Sequence, residues 1–109
     1  MNLNEYQQLA NDFAFYPKTE PNWIYTLLGL CGETGELADK LKKVIRDDDS
    51  VISDNKLAEI EKELGDILWY MARLCTELNL NLDSVAYQNL MKLKYRKENN
   101  TLSGSGDNR

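Results

Sequence analysis

Two short acidic patterns hold the residues best suited to chemistry: Glu33-Thr34-Gly35-Glu36 and Glu63-Leu64-Gly65-Asp66. Each sets two carboxylates three residues apart, which on a helix places them about 60° apart on one face. Four carboxylates gathered at one point repel one another and shift their pKa values unless a cation lies between them. All-oxygen ligands of this kind favour magnesium, with manganese as a substitute. The chain has no histidine, which removes Ser-His and Cys-His nucleophilic pairs and the usual nitrogen ligand of zinc. Hydrolytic chemistry here is left to carboxylates, lysines and metal-activated water. The plainer alternative is that these are solvated surface glutamates, which are common at this spacing.

Convergence depends on the helices that carry the two pairs. At about 100° per residue, Trp23, Leu30, Leu37, Leu41 and Val44 form one apolar stripe, with Glu33 about 60° and Glu36 about 120° to one side of Leu30. A second stripe comprises Ile60, Leu64, Ile67, Met71, Leu74 and Leu78; from Ile60, Glu63 lies about 60° and Asp66 about 120° away in the same rotational sense. If a short loop folds the two helices into an antiparallel hairpin with stripes facing, the shared offset brings both pairs to one side. The pairs also stand at matching distances from that loop, within about one turn. Two pairs matched in offset and height favour a divalent metal site.

Other residues fall near this face. Gly29 and Gly32 lie on the Glu36 side, where they leave room for a ligand or for close helix packing. Lys40 and Lys43 also lie on the carboxylate side, as partners for phosphate or for Glu36. Tyr70 is placed to stack on a base, whereas Trp23 belongs with the core stripe. On a later helix Asn89 interrupts the stripe Leu82, Val85 and Leu93, with Lys92 and Arg96 beside it. These three suit a phosphorylated ligand; the alternative for the two cations is complementing the dipole at a helix end.

Apolar spacing of three and four throughout predicts an all-α chain. A first helix is expected over Leu3–Tyr16, ending at Pro17, and a second over about Asn22–Arg46, followed by an Asp47–Ser50 loop. A third runs from a Ser53 or Asp54 cap to about Glu77. A fourth runs from Asn81 or Asp83 to near Lys97. Residues 1–98 thus form one helical domain, and 99–109 a Gly/Ser-rich tail, flexible by composition. A chain of 109 residues with Leu28, Leu68 and Trp69 outside the main stripes is expected to complete its core as a homodimer or dimer of dimers. Net charge −5 and pI about 4.7 argue against nucleic-acid binding. The absence of a long apolar run argues against a membrane span, so a cytoplasmic location is expected. Cys31 and Cys75 sit among apolar residues and read as small hydrophobes.

Residues 32–38 and 63–70 together resemble the E-x-x-E and E-x-x-D signature of the MazG family, and Asn89-Leu90-Met91-Lys92-Leu93-Lys94-Tyr95-Arg96 is similar to its N-x-x-K-L-x-x-R helix. The resemblance spans nearly the whole chain. It implies an all-α nucleoside triphosphate pyrophosphatase fold completed by dimerisation, and magnesium-dependent cleavage of an NTP or dNTP to the monophosphate and pyrophosphate. By the same resemblance Glu33, Glu36, Glu63 and Asp66 are magnesium ligands, and Asn89, Lys92 and Arg96 contact nucleotide. Lys43 corresponds to a lysine often found after the E-x-x-E helix. This chain has Asn99 and Asn100 where longer-tailed relatives carry arginine and glycine, so no phosphate-binding role passes to the tail. The resemblance leaves open dUTP, dCTP or phosphoribosyl-ATP as substrate, and outside enzymes a non-catalytic dimeric helical module that regulates a partner.

Overall fold

Two of the long helices begin at side-chain caps that accept otherwise unpaired backbone N–H groups. Ser53 Oγ accepts from Lys56 N at 3.1 Å, and Asn81 Oδ1 from Ser84 N at 3.0 Å. The computed structural model describes residues 1–109 and contains helices α1 (Leu3–Ala10), α2 (Ile24–Asp47), α3 (Asp54–Glu77) and α4 (Leu82–Glu98), with no strand. The all-α expectation holds, and α2 to α4 fall within two residues of their expected bounds at each end.

The first helix is shorter than its sequence suggests. It stops at Ala10, passes through one 3-10 turn at Asn11–Phe13, and is non-helical before Pro17. The cause lies far along the chain, in the buried guanidinium of Arg73 on α3. It donates to Asn11 Oδ1 and to the Tyr16 hydroxyl, the latter at 2.9 and 3.1 Å. Tyr16 in turn donates to Glu77 at 2.6 Å and stacks on Tyr25, ring centroids 5.0 Å apart. Continuing the helix through Tyr16 would break this network, and a buried guanidinium without acceptors is costly.

α2 and α3 form the expected antiparallel hairpin. Its turn uses Asp49 (φ 52°) and Ser50 (φ 61°) in the left-handed region, while Ser50 N donates back to Val44 O at 3.2 Å. The same carbonyl also accepts from Asp48 N at 3.0 Å, so it anchors two residues of the turn to the last turn of α2. The small core joins α1, α3 and the start of α4: Ala10, Ala72, Cys75 and Leu82 are buried, with Leu3, Tyr6, Leu68 and Trp69 packed against them. Leu68 and Trp69, expected to lie uncovered, are thus part of this core. Trp23 moves the other way. It directly precedes α2 and is 36% exposed.

Only nine of 109 residues are buried. The Cα radius of gyration, 16.9 Å, exceeds the ~13 Å of a compact domain of this length. α4 accounts for much of this: it packs chiefly on α1 and α3 and leaves Leu90, Met91, Leu93 and Tyr95 exposed. No helix is long and apolar enough to cross a membrane. Beyond α4, residues 99–109 contain no helix and fold back along it.

Candidate metal centre

Because α2 and α3 run antiparallel, residues rising along one meet residues falling along the other. Near the loop, Lys40 Nζ lies 3.9 Å from Glu59 and 3.8 Å from Glu63. One step further, Glu33, Glu36 and Glu63 bring carboxylate oxygens within 4.8 Å of one another. Beyond them the ring of Tyr70 lies against Gly29, so closely that a Cβ there would overlap three of its atoms.

The electrostatics of the cluster are unfavourable as they stand. Glu33 Oε2 and Glu63 Oε2 are buried without any hydrogen-bond partner, and the groups around them are further carboxylates, which offer no proton donor when ionised. Burial, then the charge of Glu36, contact with Glu63 and the charge of Asp66 push the Glu33 carboxyl from its ordinary 4.5 up to about 7. Lys40 relieves only the other oxygen of Glu63. Orphaned, hard, anionic oxygens are the donor set that a divalent cation satisfies, and ligand distances of about 2.0–2.6 Å allow oxygens on one ion to lie up to about 4–5 Å apart. The cluster therefore has the donor set and spacing of a candidate divalent-cation site.

The remaining sequence candidates distribute unevenly. Asp66 is exposed and outside the set of three, yet near enough for its charge to raise the pKa of Glu33. Tyr70 borders the cluster: burial first, then Tyr25, Glu33 and Asp66, raise its hydroxyl pKa. Its ring meets Trp69 edge-on at 5.0 Å. Gly29 is a close-packing glycine, whereas nothing stands within 4 Å of a Cβ built on Gly32. Lys43 is engaged on its own helix, 2.8 Å from Asp39. Asn89, Lys92 and Arg96 are not gathered at the carboxylates of this chain. Asn89 and Lys92 line a separate groove with Leu80, Asn81, Ser84, Val85 and Gln88, and the partners of Lys92 and Arg96 are atoms of residues 106 and 107.

Sequence reasoning missed Arg73, the cation that holds Asn11 and Tyr16. Its signal was present: a charged residue flanked by Ala72, Leu74 and Cys75 on an otherwise apolar stretch of α3.

The description "MazG nucleotide pyrophosphohydrolase domain" belongs to a family model that matches residues 24–101, the stretch holding the α2–α3 hairpin and α4. The chain is similar to the "Gene 37 protein" of Mycobacterium phage L5, 41% identical over 114 aligned positions that span the whole of both chains. No solved structure matches. With the acidic hairpin and the basic fourth helix both inside the matched region, the chain belongs to the MazG nucleotide pyrophosphohydrolase family.

Proposed function

We propose that the protein is a magnesium-dependent nucleoside triphosphate pyrophosphohydrolase, releasing pyrophosphate from an NTP or dNTP. The observation that carries this reading is the convergence of Glu33, Glu36 and Glu63 with two buried oxygens lacking partners. Glu33, Glu36 and Glu63 would hold the ion, with Asp66 completing the ligand set. When bound, a divalent cation supplies Lewis acidity toward phosphate oxygens and lowers the pKa of water at the α-phosphorus.

The chain's own groups do the rest. Water adds to the α-phosphorus, the α–β anhydride bond breaks, and pyrophosphate leaves with the bonding pair. The water's proton passes to a carboxylate oxygen that does not hold the ion, on Glu36 or Asp66, both exposed. Lys40, nearest cation to the cluster, stabilises the departing charge. Tyr70 shields the other end and offers a ring face to sugar or base. Asn89, Lys92 and Arg96 contribute further nucleotide contacts, reached in a homodimer or dimer of dimers, which the sparse core and exposed apolar residues of α2 and α4 support.

A panel of NTPs and dNTPs incubated with Mg²⁺, scoring pyrophosphate against orthophosphate, tests the reading. Pyrophosphate release abolished by EDTA and restored by Mg²⁺ or Mn²⁺ is expected. Orthophosphate as first product, or turnover in excess EDTA, would refute it.

A further inference from the structure

The segment after α4 turns back on the helix it leaves. Gly104 (φ 110°) and Gly106 (φ 84°) reverse the chain through conformations that cost little without a Cβ. Arg109 closes the loop, its guanidinium donating to the carbonyl oxygens of Gly106 (2.5 Å), Leu102 (2.9 Å) and Thr101 (3.1 Å). Asp107 is thereby set over the basic face of α4. Arg96 Nη2 donates to the Asp107 carbonyl oxygen at 2.7 Å and lies 3.5 Å from Oδ1, and Lys92 Nζ lies 3.3 Å from the same carboxylate oxygen. Hydrogen bonding from Lys92, its charge and then Arg96 hold the Asp107 carboxyl below the ordinary aspartate range.

A single aspartate is a weak occupant for two cations. Arg96 is 4% exposed, yet its Nε is buried without a partner. Residues 106 and 107 therefore satisfy only Nη2, whereas a phosphate takes guanidinium N–H groups two at a time. The Asp107 side chain is 85% exposed, and exposed ion pairs contribute little. Its hold comes from being tethered, which makes the contact intramolecular.

We propose that residues 104–109 form a displaceable strap whose Asp107 carboxylate occupies the Lys92–Arg96 pair, and that a phosphate group of the substrate must push it aside to reach those cations. The proposal rests on the reading of Lys92 and Arg96 as phosphate contacts. A strap closed most of the time lowers apparent phosphate affinity by the fraction of time the pair is open. For exposed pairs backed by a main-chain bond this amounts to about threefold to tenfold.

The test is calorimetric titration of the full-length protein with inorganic pyrophosphate in EDTA. Asp107→Asn removes the competing charge, and Arg109→Ala keeps that charge but undoes the loop closure. Both are expected to bind pyrophosphate about threefold to tenfold more tightly than wild type, and Lys92→Ala added to either should erase the gain. Wild-type or weaker affinity in either variant overturns the strap, as does a gain that survives Lys92→Ala. Because this readout needs neither metal nor turnover, it separates from the catalytic reading. Tighter binding by a chain that hydrolyses no nucleotide leaves the strap standing and removes the enzyme assignment. Turnover with unchanged affinity in both variants removes the strap alone.

Discussion

Replacing Gly29 by alanine should destabilise the protein, although the same change at the other glycines of the hairpin should stabilise it. Glycine in a helix interior costs about 0.8–1 kcal/mol relative to alanine. Gly32, Gly35 and Gly65 have nothing within 4 Å of an added Cβ, so alanine there should recover up to about that amount. At Gly29 the methyl would overlap the Tyr70 ring, and the ring is also engaged by Trp69 in a T-shaped contact at 5.0 Å. Overpacking of this kind costs about 1–3 kcal/mol, and giving up the aromatic pair adds about 0.5–1.5 kcal/mol. Net of the propensity gain, Gly29→Ala should lose about 1–3 kcal/mol. Urea denaturation at constant m-value reads this directly. The cause is isolated by repeating the substitution in a Tyr70→Ala background, where Gly29→Ala should become as favourable as Gly35→Ala, a coupling of about 2–4 kcal/mol once the recovered propensity is added to the relieved overlap. A Gly29→Ala protein as stable as the Gly35→Ala protein with Tyr70 intact, or no coupling between the two sites, would show that the ring does not rest on the α2 backbone.

Glu63→Gln and Asp66→Asn should abolish Mg²⁺-dependent turnover while circular dichroism still reports a helical chain; full turnover by either would return these carboxylates to the status of surface residues. In EDTA, Glu33 links stability to pH. Its pKa in the folded chain is raised from 4.5 to about 7, so its contribution is fully present below pH 4.5 and is lost as pH rises to about 7. Wild type should be less stable at pH 8 than at pH 5.5 by about 2 kcal/mol more than Glu33→Gln is; identical pH slopes for the two proteins in chemical denaturation would contradict the crowding of charge. Sedimentation at micromolar concentration should report a dimer or larger assembly, a stable monomer being the adverse result. Arg96→Ala and Lys92→Ala should each lower kcat/KM about tenfold to a hundredfold, the loss of one charge-assisted hydrogen bond, with metal binding intact by titration; wild-type kinetics in both would confine α4 to a packing role.

The helices and the acidic cluster were legible in the sequence because both depend on short-range regularity. A Ser53 or Asn81 cap acts on a backbone N–H three residues away. The position of Glu33 relative to Leu30, or of Glu63 relative to Ile60, follows from the helical repeat alone. Once a short loop joins two such helices, the meeting of Glu33, Glu36 and Glu63 follows from matching offsets and heights. What the sequence left open was decided by contacts between distant residues. The end of α1 is set by the Arg73 guanidinium, 62 positions from Asn11. The role of Gly29 depends on a ring 41 positions away, from Gly29 to Tyr70. Trp23, which the helical repeat puts on the apolar stripe of α2, stays outside the core because the buried cluster gathers α1, α3 and the start of α4 instead. The folding of residues 104–109 onto Lys92 and Arg96 has no periodic or compositional signal, since a Gly/Ser-rich segment suits many conformations and only the tertiary placement of two cations selects one.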